Sequence, residues 1–260
     1  LFEPTDALDI SFLVQHYEND NDAGNSFAHK VVSVDPITGL AVDNPDPTAT
    51  DAFGYRDPTP NDPRDTNADR DIFLNVRQFT AIGTIEWDLD VFNAAGLTLT
   101  SVTGYENTEK DATFDSDSGP TIRGTETHPD AWQFSQELRL AGETANFDWL
   151  AGFYYFEYQI DGNQRRLSAA GFRDPVFFDL ETDSWALFAN GEYRFNDQWR
   201  LNAGIRYTQE DKVYALNNTD FGLVFDETTV GDAAKQDDDN ISFNVRVSWY
   251  VTEDHLLYAG

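Results

Sequence analysis

The sequence predicts an all-β fold, the wall of an antiparallel up-and-down transmembrane β-barrel. Three observations carry that expectation. Apolar residues recur at every second position, connections alternate between short and long, and tryptophans and tyrosines gather near strand ends. No useful stretch shows the 3.6-residue apolar stripe of an amphipathic helix.

Taken in order, residues 1–3 read as the end of a strand. Weaker alternation marks strands at 8–17, 77–89, 96–114, 130–141 and 146–160. In 146–160 both faces carry aromatics, which leaves the outward side open. The next three strands are cleaner. Trp185, Leu187, Ala189, Gly191, Tyr193 and Phe195 form one face, and Trp199, Leu201, Ala203, Ile205 and Tyr207 the next. Ile241, Phe243, Val245, Val247, Trp249 and Val251 form the third, and residues 255–260 open another strand. The expectation is about eight full strands and two strand stubs.

The connections sort into two classes. Residues 4–7, 90–95, 142–145, 196–197 and 252–254 are short, whereas 18–76, 115–129, 161–180 and 213–239 are long, polar and rich in Asp, Gly or Pro. Consecutive antiparallel strands then place every tight turn at one end and every long loop at the other. An outer-membrane barrel has this asymmetry, with short periplasmic turns and long extracellular loops. A soluble sandwich has no reason for it.

The aromatics give an independent test. Trp87, Trp149, Trp199 and Trp249 lie near short turns, and Trp132 and Trp185 follow long loops. Tyr17, Tyr105, Tyr155 and Tyr207 lie toward the long-loop ends. The path from Trp199 to Tyr207 runs ~26 Å along a strand, or ~20 Å of height at a ~40° tilt, close to the ~25 Å band between aromatic girdles. These residues are the expected membrane-interface aromatics. Opposite the apolar positions lie Glu137, Arg139, Glu192, Arg194, Arg200, Arg206 and Arg246, charges that suit a wet lumen and not hydrocarbon.

Composition narrows the function. The 260 residues carry 47 acids against 17 bases, a formal charge of −30, which excludes a nucleic-acid partner because a polyanion needs a basic surface. Absence of cysteine removes disulfides and thiolate chemistry. Methionine is absent even at position 1, so the chain is expected to be processed or a piece of a longer one. His16, His29, His128 and His255 stand far apart, outside any metal-ligand spacing, and neither a phosphate loop nor a nucleophile elbow appears. No catalytic residue and no cofactor are expected. The motifs Asp20-x-Asp22-x-Gly24, Asp65-x-Asn67-x-Asp69 and Asp115-x-Asp117-x-Gly119 resemble calcium loops but lack the glycine and glutamate of an EF-hand. Loose loop-bound calcium, bridging loops to each other or to lipopolysaccharide phosphates, is the one metal expectation they leave.

The run from Ser184 to Lys212 resembles a barrel hairpin of TonB-dependent outer-membrane receptors. So do Ser101–Tyr105, Phe134–Leu140, Phe147–Phe153 and Val251–Gly260, in family order. The resemblance implies a 22-stranded barrel of the Gram-negative outer membrane, closed around an N-terminal plug and importing a scarce nutrient at the expense of the inner-membrane proton gradient. By that resemblance residues 1–260 are a portion of the barrel domain, without the plug or the remaining strands. The implied partners are outer-membrane lipid and lipopolysaccharide, TonB and its inner-membrane motor acting through the plug, and a small-molecule cargo such as a ferric siderophore.

Within that reading Arg139, Arg194, Arg206 and Arg246 are the substrate-path candidates, fixed cations that an anionic chelate could meet. Their competing role is pairing with lumen acids such as Glu137 and Glu192, or with the plug. Loop aromatics Phe27, Phe53, Tyr55, Phe172, Phe177 and Phe178 could stack on sugar or catechol rings. Two other readings compete: a passive porin-like channel, and a soluble acidic β-sandwich that binds carbohydrate. The sandwich requires Trp199, Leu201 and Ile205 to be buried in a core.

Overall fold

The computed structural model describes residues 2–21, 32–35, 37–43, 46, 56, 72–89, 96–115, 124–168, 171–172, 175–218, 222–252 and 255–260. The strands are β1 (Phe2–Thr5), β2 (Leu8–Asn21), β3 (Val32–Val34), β4 (Ala41–Asp43), β5 (Phe73–Asp88), β6 (Leu97–Asp115) and β7 (Gly124–Glu143). They continue with β8 (Phe147–Ser168), β9 (Gly171–Phe172), β10 (Val176–Arg194), β11 (Trp199–Asn218), β12 (Leu223–Phe225), β13 (Lys235–Thr252) and β14 (His255–Ala259). One antiparallel meander runs β1-β2-β5-β6-β7-β8-β10-β11-β13-β14, with β9 on β8 and β12 on β11, and β3–β4 forms a separate hairpin. The eight long strands and two stubs match the expectation. Among the described residues β1 does not pair with β14, so the sheet is an open wall.

Short turns join the strands at one end and are held by local side chains. Asn196 Oδ1 accepts from the backbone N–H groups of Gln198 and Trp199, both at 2.9 Å, an Asx turn that starts β11. Thr144 Oγ1 accepts from Phe147 N at 3.1 Å in the turn before β8. At the other end the connections include α1 (Glu227–Val230), capped by Asp226, and the 3-10 turn Gly231–Ala234.

Because directly paired residues share a face, register identifies the two sides. Leu8, Trp87, Leu99, Leu140, Ala151, Ala189, Ile205 and Phe243 form one unbroken cross-strand row, apolar throughout. The next residue on each strand points to the opposite, polar face. Trp199 and Ile205 are 40% and 56% exposed, so the core that a sandwich demands does not form around them. Fully covered apolar side chains are few among the described residues, and the largest is alanine. A single sheet of this kind gains its stability from hydrogen-bonded ladders and from whatever covers its faces.

The long strands extend farther than alternation predicts. Residues 161–168, 176–180 and 213–218, read from sequence as loop, are strand. A 20-residue strand at ~3.3 Å per residue and ~40° tilt rises ~50 Å, about twice the apolar band. Above the band the amphipathic pattern inverts. The face that is apolar below becomes a cross-strand row of Glu18, Arg77, Glu109, Asp130, Asp161 and Asp179, with a second row of Glu157, Asp183, Asp211 and Asp237. The opposite face there carries Tyr158, Ile160, Phe178, Leu180, Tyr214 and Leu216.

Candidate functional site: the polar face of the wall

The polar face holds the four arginines singled out by sequence, and their surroundings separate them. Arg139 Nε lies 2.9 Å from Glu137 Oε1, although its N–H is not aligned for a hydrogen bond. Arg194 grips Asp148 through both terminal nitrogens, and its Nη2 also donates to the Thr144 carbonyl at 3.1 Å. It clamps the foot of β10 to the turn before β8, a structural duty. Arg200 Nη1 donates to Glu192 Oε1 at 3.3 Å, and its guanidinium sits 4.7 Å from the centre of the Tyr250 ring. For these three, pairing with a neighbouring acid wins.

Arg206 and Arg246 differ. Arg206 lies between two rings, 5.7 Å from the centre of Tyr154 and 5.6 Å from that of Phe188. Its Nε donates to Thr208 Oγ1 at 3.0 Å, and among the described residues no carboxylate faces it. Arg246 is exposed, opposite Asn202, and likewise has no carboxylate among the described residues. Between the two arginines lies a patch of amides. Asn202 Nδ2 donates to Asn190 Oδ1 at 2.9 Å, and Asn190 Nδ2 returns a bond of 3.3 Å. Gly204 leaves room for the amides of Asn190 and Asn244, since a β-carbon there would stand 2.7 Å and 2.9 Å from their Nδ2 atoms.

Beside Arg206 runs a feature that sequence reasoning missed. Tyr154, Phe156 and Tyr158 project from β8 on the polar face with near-parallel rings, at centroid spacings of 6.5 Å and 6.4 Å and interplanar angles of 10° and 7°. They flank Ala186, Ser184 and Thr182 of β10, which are 0%, 8% and 6% exposed even in an open wall. The signal was the doubled aromatic pattern of 146–160: Phe147, Trp149, Phe153 and Tyr155 take one face and this ladder takes the other.

Trp87, Trp132, Trp149, Trp185, Trp199, Trp249, Tyr105 and Tyr207 all fall on the apolar face. Near the tight turns Trp199 stacks on Trp249 at 5.2 Å and 6°. Farther up, Trp185 meets Tyr207 at 5.4 Å, Phe134 meets Tyr155 at 6.3 Å, and Phe79 meets Tyr105 at 6.4 Å. Tyr17 lies on the polar face instead, opposite Gln78.

The calcium-loop motifs fall largely outside the described residues, as do Phe27, Phe53 and Tyr55. Of the loop aromatics, Phe178 lies on the inner, ladder-bearing side and Phe177 on the acidic side. Among the described residues no group of three His, Asp or Glu side chains is arranged to hold a metal ion. No helix is long and apolar enough to cross a membrane, which says nothing about strands.

Similar proteins place this geometry. No curated protein sequence matches the chain. Three solved receptors share the fold. The siderophore receptor PiuA from Acinetobacter baumannii is 14% identical with a TM-score of 0.64, over 97% of this chain and 39% of that one. The ferric-catecholate import receptor Fiu from E. coli K12 is 12% identical at 0.61, over 97% and 43%. The ferric yersiniabactin uptake receptor FyuA from Yersinia pestis is 13% identical at 0.60, over 73% and 28%. The chain thus spans less than half the length of these receptors. The family model for the TonB dependent receptor-like β-barrel matches residues 12–260. With nearly the whole chain matched, the chain belongs to the TonB-dependent receptor-like β-barrels, which reside in the Gram-negative outer membrane, and matches part of their barrel wall.

Proposed function

We propose that these strands line the import path of a plugged barrel that takes up an anionic ferric chelate, with TonB supplying the force through the plug. In this reading the apolar face meets lipid, the polar face meets the lumen, and the remaining strands and the plug lie in the rest of the receptor. Trp87, Trp149, Trp199 and Trp249 form the periplasmic girdle, with Trp132, Trp185, Tyr105 and Tyr207 toward the outer one. Lipopolysaccharide packs around that outer edge.

The observation that supports an anionic cargo is that Arg206 and Arg246 reach the lumen without a carboxylate among the described residues. Two fixed cations beside an amide patch favour a negatively charged solute. The experiment is growth on ferric chelates under iron limitation, in strains lacking other receptors. The full-length receptor should restore growth only where TonB is present. Restoration without TonB would replace import by a passive channel, and no restoration on any ferric chelate would remove iron as cargo.

A further inference from the structure

On the apolar face, β8, β10 and β11 share an irregularity. Between the girdles their outward positions are large, except for one contiguous group of small residues. Ala151 of β8 pairs with Ala189 of β10, and Gly191 of β10 pairs with Ala203 of β11. Phe147 lies over Gly191, where a β-carbon would stand 2.8 Å from the ring. The three alanines thus floor a groove of about 560 Å³, walled by Phe147, Trp149, Tyr193, Leu201, Ile205 and Phe243. It starts at the level of Tyr193, near the tight turns. It ends below Phe153 and Leu187, the next outward residues above the alanines of β8 and β10.

We infer that this groove holds one acyl chain of a glycerophospholipid from the periplasmic leaflet, as a retained lipid rather than exchanging solvent. The inference rests on the reading above in which the apolar face meets lipid, and adds a binding site to it. Inside hydrocarbon no hydrophobic drive brings surfaces together, so shape and dispersion contact decide what stays. On the flat parts of the wall an acyl chain touches protein on one side. In the groove it touches a floor and two walls, which multiplies those contacts. The floor spans three strands, ~10 Å between the outer two. A transmembrane helix is ~10–12 Å across with its side chains and would ride on the walls. A single alkyl chain reaches the alanines. The level of the groove selects the leaflet. It opens at the girdle, beside Trp149 and Tyr193, whose polar tips suit the ester and headgroup layer. It closes short of Tyr155 and Trp185, which pair at the outer girdle. A chain of lipid A descends from that outer side and meets Phe153 and Leu187 first.

The test is native mass spectrometry of the full-length receptor, delipidated in detergent and titrated with palmitoyl-oleoyl phosphatidylethanolamine or with lipid A. Wild type should bind one phosphatidylethanolamine about tenfold more tightly than any further one. Filling the floor with Ala189→Leu and Ala203→Leu should remove that preference. Ala81→Leu, on the same face outside the groove, should keep it. Leucine suits a lipid-facing position, and heat-modifiable mobility confirms that each variant is folded. Should the double variant not fold, Ala151→Leu decides. Equal affinities for the first and later phospholipids would overturn the inference, as would an unchanged preference in the filled variants. First binding of lipid A as tight as that of phosphatidylethanolamine would overturn it too. Vesicles of brominated phosphatidylcholine should quench the tryptophan fluorescence of wild type more than that of Trp199→Phe. Equal quenching would remove the lipid-facing reading and the groove with it. The expected quenching without a retained phospholipid would remove the groove alone.

Discussion

A positive charge at mid-height should cost far more on one face of β13 than one residue away. Val245 pairs with Ala203 and stands four residues from Trp249 and four from Ile241, which pairs with Tyr207. Four residues correspond to ~13 Å along the strand and ~10 Å of height at ~40° tilt, so Val245 lies near the middle of a ~25 Å hydrocarbon band. Its same-face neighbours are Ala203, Phe243 and Val247, which offer an arginine neither water nor a carboxylate. Val245→Arg should destabilise the folded receptor by ~2–4 kcal/mol, equivalent to ~30-fold to ~1000-fold in the folding equilibrium. Asn244→Arg places the same group opposite Gly204 in the wet lumen and should stay within ~1 kcal/mol of wild type. The assay is denaturant-dependent folding of the receptor into lipid vesicles, followed by tryptophan fluorescence. Equal penalties at the two positions, or the larger one at Asn244, would refute the assignment of faces.

Three further outcomes follow from other parts of the wall. Gln136 lies on the lipid face but satisfies itself there: Nε2 donates to Ser101 Oγ at 3.0 Å and to the Glu137 carbonyl at 3.1 Å, and Thr103 Oγ1 donates to Oε1 at 2.6 Å. Gln136→Leu should cost ~1–3 kcal/mol by stranding both hydroxyls, and adding Thr103→Val and Ser101→Ala should return most of it in the same folding assay. Asp161 stands directly between Asp130 and Asp179, so Asp161→Asn should stabilise by ~0.4–2 kcal/mol at low salt, less at high salt, read as a shift in the unfolding midpoint. Asp226, which caps α1, has its pKa lowered chiefly by hydrogen bonds from the Thr228 and Thr229 hydroxyls. A carboxyl whose folded value is depressed lends stability above its ordinary value of 3.8, lost as pH falls through the folded one. Protection of the Thr229 amide should therefore be flat from pH 7 to about 5 and collapse below about 4, and Asp226→Asn should largely remove that step.

Strand number, order and the position of the tight turns were legible because they depend on local rules. Period-2 alternation at 199–207 and 241–251 and the Asn196 turn each act within a few residues. The lengths of the strands were not legible, because alternation reports a contrast between two environments. Between the girdles one face meets hydrocarbon and the other water, so Leu201 and Asn202 look different. Above them both faces approach water, and residues such as Asp161 and Asn163 read as loop although backbone pairing continues through Ser168. The ladder was hidden for a related reason. At 146–160 the strand crosses the level where its pattern inverts, so Phe153 and Tyr155 lie on the apolar face while Tyr154 and Phe156 lie on the polar one. Nor could sequence separate Arg206 from Arg139 and Arg194: the difference is which cross-strand neighbour each one finds.

The inversion also resolves an apparent conflict between a chain charge of −30 and an anionic cargo. Above the girdle the carboxylates of Glu109, Asp130, Asp161, Asp179, Asp183, Asp211 and Asp237 stand on the outward face. On the polar face of the same strands Arg139, Arg194, Arg200 and Lys212 pair with Glu137, Asp148, Glu192 and Glu210, and Glu106 and Asp238 stand higher on that face, whereas Arg206 and Arg246 lie beside the amide patch with no carboxylate at salt-bridge distance among the described residues. At physiological salt a charge is felt over ~8 Å, and the wall itself separates the two faces by about that distance once side chains are counted. An anion beside the amide patch therefore responds mainly to Arg206 and Arg246, and the outward acids set the charge of the barrel's skirt. Reversing the charge of that patch needs only two substitutions, Arg206→Glu and Arg246→Glu, which change the net charge of the chain modestly and the local field completely.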